Sequence, residues 1–118
     1  MNKEDVARFL TICKIAAKFN LILELTDKNK QTIASLGYQL DDVKNTILGL
    51  SVEDYAEGPL IDRKGYAGDF WVFGTIIEDK EIYIKLKVKN INSTGDKQLS
   101  TLCISFHFAE HAIIYPFK

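Results

Sequence analysis

Histidine is scarce in this chain, and a surplus of positive charge is missing. Fifteen Lys and Arg stand against sixteen Asp and Glu, a formal net charge of −1. A protein that holds nucleic acid by neutralising many phosphates carries a strong excess of Lys and Arg. Any contact with RNA or DNA is therefore expected to be a local patch. Cysteine is limited to Cys13 and Cys103, too few and too far apart for a disulfide framework. No apolar run approaches the ~18 residues of a membrane span, and Arg8, Lys14 and Lys18 break the first apolar stretch. The opening Met-Asn-Lys-Glu-Asp carries two acids where a secretory signal carries only positive charge. These absences predict a cytoplasmic protein with two reduced thiols and no membrane partner.

What is present is enough for one core. A chain of 118 residues, 47% hydrophobic and 26% charged, has the composition of a single globular domain spanning 1–118. Val6, Phe9, Leu10, Cys13, Ala16 and Ala17 recur at helical spacing over residues 3–18, with Asn2 as N-cap. The apolar run from Asn20 to Leu25 reads as a strand ended by a turn at Asp27-Lys28-Asn29-Lys30. Asp41 and Asp42 open a second helix that runs to about Leu50. From Ser51 to Asp69, Gly58, Pro59, Gly65 and Gly68 predict a long irregular loop, more often functional than idle at that length. Phe70 to Ile77 reads as a strand with a possible bulge at Gly74.

The clearest period follows. In EIYIKLKVK, Ile82, Ile84, Leu86 and Val88 alternate with Glu81, Tyr83, Lys85, Lys87 and Lys89, one face buried and one exposed. After a turn-rich stretch from Asn90 to Lys97, residues 99–108 alternate again, with Leu102, Ile104, Phe106 and Phe108 opposite in sense to Thr101, Cys103, Ser105 and His107. A slip of one residue would drive lysines into the core, so the pattern pairs polar face with polar face. Tyr83, Lys85 and Lys87 are then expected beside Cys103, Ser105 and His107, with His107 opposite Glu81 or diagonal to Tyr83.

Both histidines fall in His107-Phe-Ala-Glu110-His111, an H-x-x-E-H pattern. For zinc hydrolysis the two histidines must lie one helical turn apart. Here the first ends an alternating strand, and Ala-Ile-Ile-Tyr-Pro follows the second. A strand-end histidine on a solvated face is the plain alternative. Between them stands a metal-free site with no cofactor. Phosphodiester cleavage needs a base, an acid and cations for the charge that builds on phosphate. His107 beside Tyr83 and the lysines of its strand, with a loop that bears Asp54, Tyr55, Glu57, Arg63 and Lys64, offers that set.

The stretch LGYQLDDVKNTILGLSVEDY, residues 36–55, resembles the MqsR (motility quorum-sensing regulator) toxin family through Leu36-Gly37, Asn45, Ile47, Gly49-Leu50-Ser51, Asp54 and Tyr55. Trp71, Tyr83-Ile84-Lys85 and Ile104-Ser105-Phe106 extend the likeness to about residue 107. Of the family's proposed catalytic residues, the tyrosine falls on Tyr83, whereas two lysines and a glutamine fall on Glu57, His107 and Val72. The resemblance implies an α+β, RelE-like fold with two helices packed on a twisted antiparallel sheet, and a type II toxin endoribonuclease (mRNA interferase) held quiet by a cognate antitoxin. The substrate would be mRNA, with no direct contact to DNA. His107, Tyr83, Lys85 and Glu57 are then the expected catalytic residues, and Arg63, Lys64, Lys87 and Tyr55 the expected RNA contacts. A non-catalytic protein-binding module on the same scaffold and a zinc hydrolase using His107 and His111 are the alternatives.

Overall fold

The computed structural model describes residues 1–90 and 98–118. Helix α1 (Lys3–Phe19) starts where the Asn2 side chain accepts the Asp5 N–H at 2.9 Å, and it buries Val6, Leu10, Cys13 and Ala17 on one face. Asn20 leaves the helix in an extended conformation and feeds directly into β1 (Leu21–Leu23). Asp27-Lys28-Asn29-Lys30 is not a turn. It is the first turn of helix α2 (Asp27–Leu36), which the Thr26 hydroxyl caps by accepting the Asn29 N–H and which Gly37 ends at φ 67°. The fully buried residues of this helix are Asn29 and Thr32, both polar, and Ile33 and Leu36 in its second half are only partly buried against the core, too short an apolar pattern to mark the helix in the sequence.

Helix α3 (Leu40–Leu48) begins with the Asp42 carboxylate accepting the Gln39 N–H at 2.8 Å and buries Val43 and Ile47. The Lys14 ammonium donates to the Leu50 carbonyl and ties α1 to the end of α3. The expected loop from Ser51 is largely ordered as a 3₁₀ turn (Val52–Asp54) and an edge strand β2 (Tyr55–Ile61). Two register shifts and Pro59 interrupt the alternation that would have identified that strand. Only residues 62–68 remain a loop before β3 (Asp69–Ile77), β4 (Lys80–Asn90) and β5 (Leu99–Phe108). Residues 91–97, where a turn was expected, lie outside the described residues.

The class is α+β, with corrections in detail. Among the described residues there are three α-helices rather than two, and the five-stranded sheet, ordered β1-β5-β4-β3-β2, is mixed because β1 runs parallel to β5. One hydrophobic cluster joins α1 and α3 to Phe73, Ile82, Ile84, Leu86 and Phe106 on one face of the sheet. The opposite face carries Tyr83, Lys85 and His107 and is the more open of the two, crossed in part at Gly74 by the segment after β5. No helix among the described residues is long and apolar enough to cross a membrane.

The β4–β5 pairing keeps the expected parity at one end and breaks it at the other. Tyr83 faces His107 directly, where Glu81 opposite or Tyr83 on the diagonal was expected, and Lys85 faces Ser105. The next pair is Leu86 with Cys103, so Ile104 is the extra residue of a β-bulge. Beyond the bulge the faces exchange. Cys103 and Thr101, expected on the polar surface, are fully buried beneath α1, where the Thr101 hydroxyl donates to the Cys13 carbonyl at 2.8 Å. Leu102 and Ile104 turn to the open face instead. Cys13 and Cys103 are free thiols, and burial pushes Cys13 up to about 11 and Cys103 higher still, which makes both poor nucleophiles.

Asn29 holds the bulge. Its side-chain amide donates to Glu24 O at 2.9 Å and to Ile104 O at 3.0 Å, and its oxygen accepts the Phe106 N–H at 2.9 Å. One turn later the Thr32 hydroxyl accepts the Phe108 N–H at 3.1 Å. These two side chains serve the outer edge of β5 where β1 has ended. We expect Asn29→Ala to strand three backbone groups in a dry site and to cost about 3 kcal/mol or more. Urea denaturation checks this, and a loss below about 1 kcal/mol would contradict the role.

Candidate functional site

Cross-strand register gathers the open-face residues into rows. One row runs Glu57, Val72, Lys85, Ser105 and the next Gly74, Tyr83, His107. All four expected catalytic residues thus lie on adjacent rows of one surface. The Tyr83 and His107 rings stack with centroids 5.3 Å apart and planes within 16°. His107 Nδ1 lies 3.0 Å from the Phe108 carbonyl, which can only accept, so this nitrogen carries the proton. The neutral ring therefore holds its lone pair on Nε2. Burial, and secondarily the charge of Glu57, raises the Tyr83 pKa and keeps the phenol protonated at neutral pH.

These groups line a cavity of about 490 Å³ whose floor is Val72, Tyr83 and His107, with Glu57 on one side. The other side is the segment after β5, which the sequence resemblance does not cover. The strap from Ala109 onwards is fastened to β4 by Glu81, whose carboxylate accepts the Ile113 N–H and the Tyr115 O–H, each at 2.9 Å. Burial and this hydrogen bond push the Tyr115 pKa upward, so it remains a donor. Gly74 makes the crossing possible, since a Cβ there would meet the Tyr115 hydroxyl and come within 2.7 Å of Ile113 Cδ1. His111, which sequence reading tied only to zinc, stands exposed in the cavity wall.

Glu57 and Tyr83 also line a neighbouring groove of about 1180 Å³. Arg63, Lys64, Lys85 and Lys89 lie along it, together with the acids Glu24 and Glu57, so cations prevail there without excluding negative charge. Two of the expected RNA contacts are placed otherwise. Tyr55 is 5% exposed, donates to the Gly58 carbonyl at 2.6 Å and stacks on Phe117 at 5.4 Å, so it is a core residue. Lys87 is 1% exposed and its ammonium is bound to Asp62 at 2.6 Å. Edge-strand pairing and this buried ion pair explain the two corrections. Asp62, which sequence reading passed over, sits at the head of an Asp-Arg-Lys-Gly turn that is the only local sign of its role.

The H-x-x-E-H pattern does not lie on a helix. His107 belongs to β5, residues 109–114 are non-helical, and Glu110 pairs with Lys28 of α2. That contact, ahead of the charges of His107 and His111, lowers the Glu110 pKa. Among the described residues no group of three or more His, Cys, Asp and Glu side chains is placed to hold a metal ion. The zinc geometry is therefore not met by these residues.

No protein-family model, curated protein or solved structure matches the chain. The site has to be judged on its own chemistry.

Two expectations test its supports. The hydrogen bond from Lys87, then the Lys64 N–H, holds the Asp62 carboxyl below its ordinary 3.8. A depressed carboxyl contributes stability above its unfolded value and loses it as pH falls through the folded one. Urea midpoints should therefore decline below pH 3.8 in the wild type and less steeply in Asp62→Asn. Gly74→Ala should displace the strap at a cost of about 1–3 kcal/mol. Faster proteolysis of the C-terminal segment, with β4 and β5 still protected in hydrogen exchange, is the expected readout.

Proposed function

We propose that this protein is a metal-independent endoribonuclease of the toxin type, acting on mRNA. One observation carries the reading: His107, stacked on Tyr83 and anchored through Nδ1, lines a cavity with Glu57 beside a groove that bears Arg63, Lys64, Lys85 and Lys89. The resemblance to the MqsR family in residues 36–107 supports the same conclusion.

The chemistry follows from where protons can go. Glu57 takes the proton of a 2′-hydroxyl, and that oxygen attacks the adjacent phosphorus. Protonated His107 gives its Nε2 proton to the departing 5′-oxygen, leaving a 2′,3′-cyclic phosphate. Lys85 and the Tyr83 phenol meet the negative charge that builds on the phosphate oxygens. In this scheme a carboxylate base and an imidazole acid stand at Glu57 and His107, where the resembled family has lysines. An antitoxin covering this face would silence it.

A second reading, a protein-binding module on the same scaffold, draws on a different surface. Ile12, Ile15 and Phe19 lie along one side of α1 and are 48%, 53% and 84% exposed. The two readings differ in outcome. The purified protein should cut single-stranded RNA in the presence of EDTA and leave cyclic-phosphate ends, and His107→Ala should slow this by about 10²–10⁴-fold. Intact RNA would leave only the binding module, and undiminished cleavage by His107→Ala would remove that residue from the mechanism.

A further inference from the structure

One buried charge plays no part in that chemistry. Lys87 shares the open side of β4 with Tyr83 and Lys85, yet it is 1% exposed, with its ammonium 2.6 Å from Asp62 Oδ2 and 4.4 Å from the Phe70 ring centroid. Both ions lose hydration in such a pair, so apolar side chains of equal volume would serve stability as well or better. What the pair supplies is one defined geometry.

Asp62 passes that geometry on. Its second oxygen accepts the Lys64 N–H at 2.9 Å, and its carbonyl accepts the Gly65 N–H at 3.0 Å, closing a tight turn. The far end of the loop is held by close approach. Gly68 has φ +90°, and a Cβ there would stand 3.3 Å from the Val88 carbonyl and 3.4 Å from the Lys87 stem. Lys87 thus meets both ends of the segment 62–68, and between them Arg63 and Lys64 are exposed along the groove.

We propose that Lys87 is a positioning residue: through Asp62 and Gly68 it fixes the loop so that Arg63 and Lys64 continue the line of Lys85 as a row of phosphate contacts. The phosphate role rests on the ribonuclease reading, whereas the hold on the loop does not. Lys87 then acts on RNA without touching it.

The test measures binding of a short single-stranded 2′-O-methyl oligoribonucleotide, which lacks the attacking hydroxyl, as a function of salt. Replacing Arg63 and Lys64 by Ala should flatten the log–log salt slope by about 1.4, at ~0.7 per lost single-strand phosphate contact. Lys87→Met with Asp62→Asn removes the pair at constant net charge and should flatten it equally, after which the Arg63 and Lys64 replacements add nothing. Gly68→Ala keeps every charge and the buried pair, and should shift the slope the same way. Trypsin reads the loop without RNA: cleavage after Arg63 and Lys64 should accelerate in both loop variants. A wild-type slope in both, with Arg63 and Lys64 still contributing fully, overturns the proposal, as does unchanged trypsin cleavage. If the wild type binds the oligonucleotide without salt dependence, the ribonuclease reading and the phosphate role fall together, and faster trypsin cleavage then leaves Lys87 with the loop alone.

Discussion

The Asn29 side chain settles which residues of β5 face the candidate site. It receives the Phe106 N–H and donates to the Ile104 carbonyl, so it grips the strand on both sides of the bulge. Without the extra residue, one parity would run the length of β5. Either His107 would share the open face with Thr101 and Cys103, and the larger Leu102 and Ile104 would crowd beneath α1, or the whole set would invert and bury the imidazole. The bulge permits small Thr101 and Cys103 under the helix and His107 on the open side at once. A buried amide with each of its hydrogen bonds made is well suited to this, because leaving any partner unpaired costs on the order of 1–3 kcal/mol.

The same feature shows how far the sequence can be read. Strict alternation in EIYIKLKVK and around His107 places Tyr83, Lys85, Ser105 and His107 on one face, and the structure has them there, because one-face burial makes parity hard to violate locally. A bulge changes parity without altering composition, so Cys103 and Leu102 exchange places unseen. Helix α2 was hidden because its fully buried residues, Asn29 and Thr32, are polar, and its apolar contacts with the core come only in its second half, from the partly buried Ile33 and Leu36. Strand β2 was hidden because Gly58, Pro59 and two register shifts break its period. Lys87 reads as a surface lysine by every local rule, and its burial depends on Asp62, which lies 25 residues earlier in the chain.

Charge on the open face is spent sparingly, as a net charge of −1 requires. Lys28 is matched by Glu110 at one margin and Lys87 by Asp62 at the other. Lys85 has the Phe70 ring beside it at 5.0 Å from the centroid and no carboxylate partner among the described residues. Arg63, Lys64 and Lys89 are exposed along the same groove. A patch of this kind attracts anions locally while the molecule as a whole does not.

The string His107-Phe-Ala-Glu110-His111 divides into separate tasks because the strand ends within it. His107 stays on β5, Glu110 turns to Lys28, and His111 enters the cavity wall. What unites the site is β4. Its four open-face residues from Glu81 to Lys87 each hold a different part: Glu81 fastens the strap, Tyr83 stacks on His107, Lys85 faces the groove, and Lys87 secures the loop that bears Arg63 and Lys64. Floor, wall and loop are therefore referred to one central strand with hydrogen-bonded neighbours on both sides. The relative placement of these donors and cations depends on that common frame. A period-2 run of four polar side chains, the plainest pattern in the sequence, is thus the axis on which the candidate site is assembled.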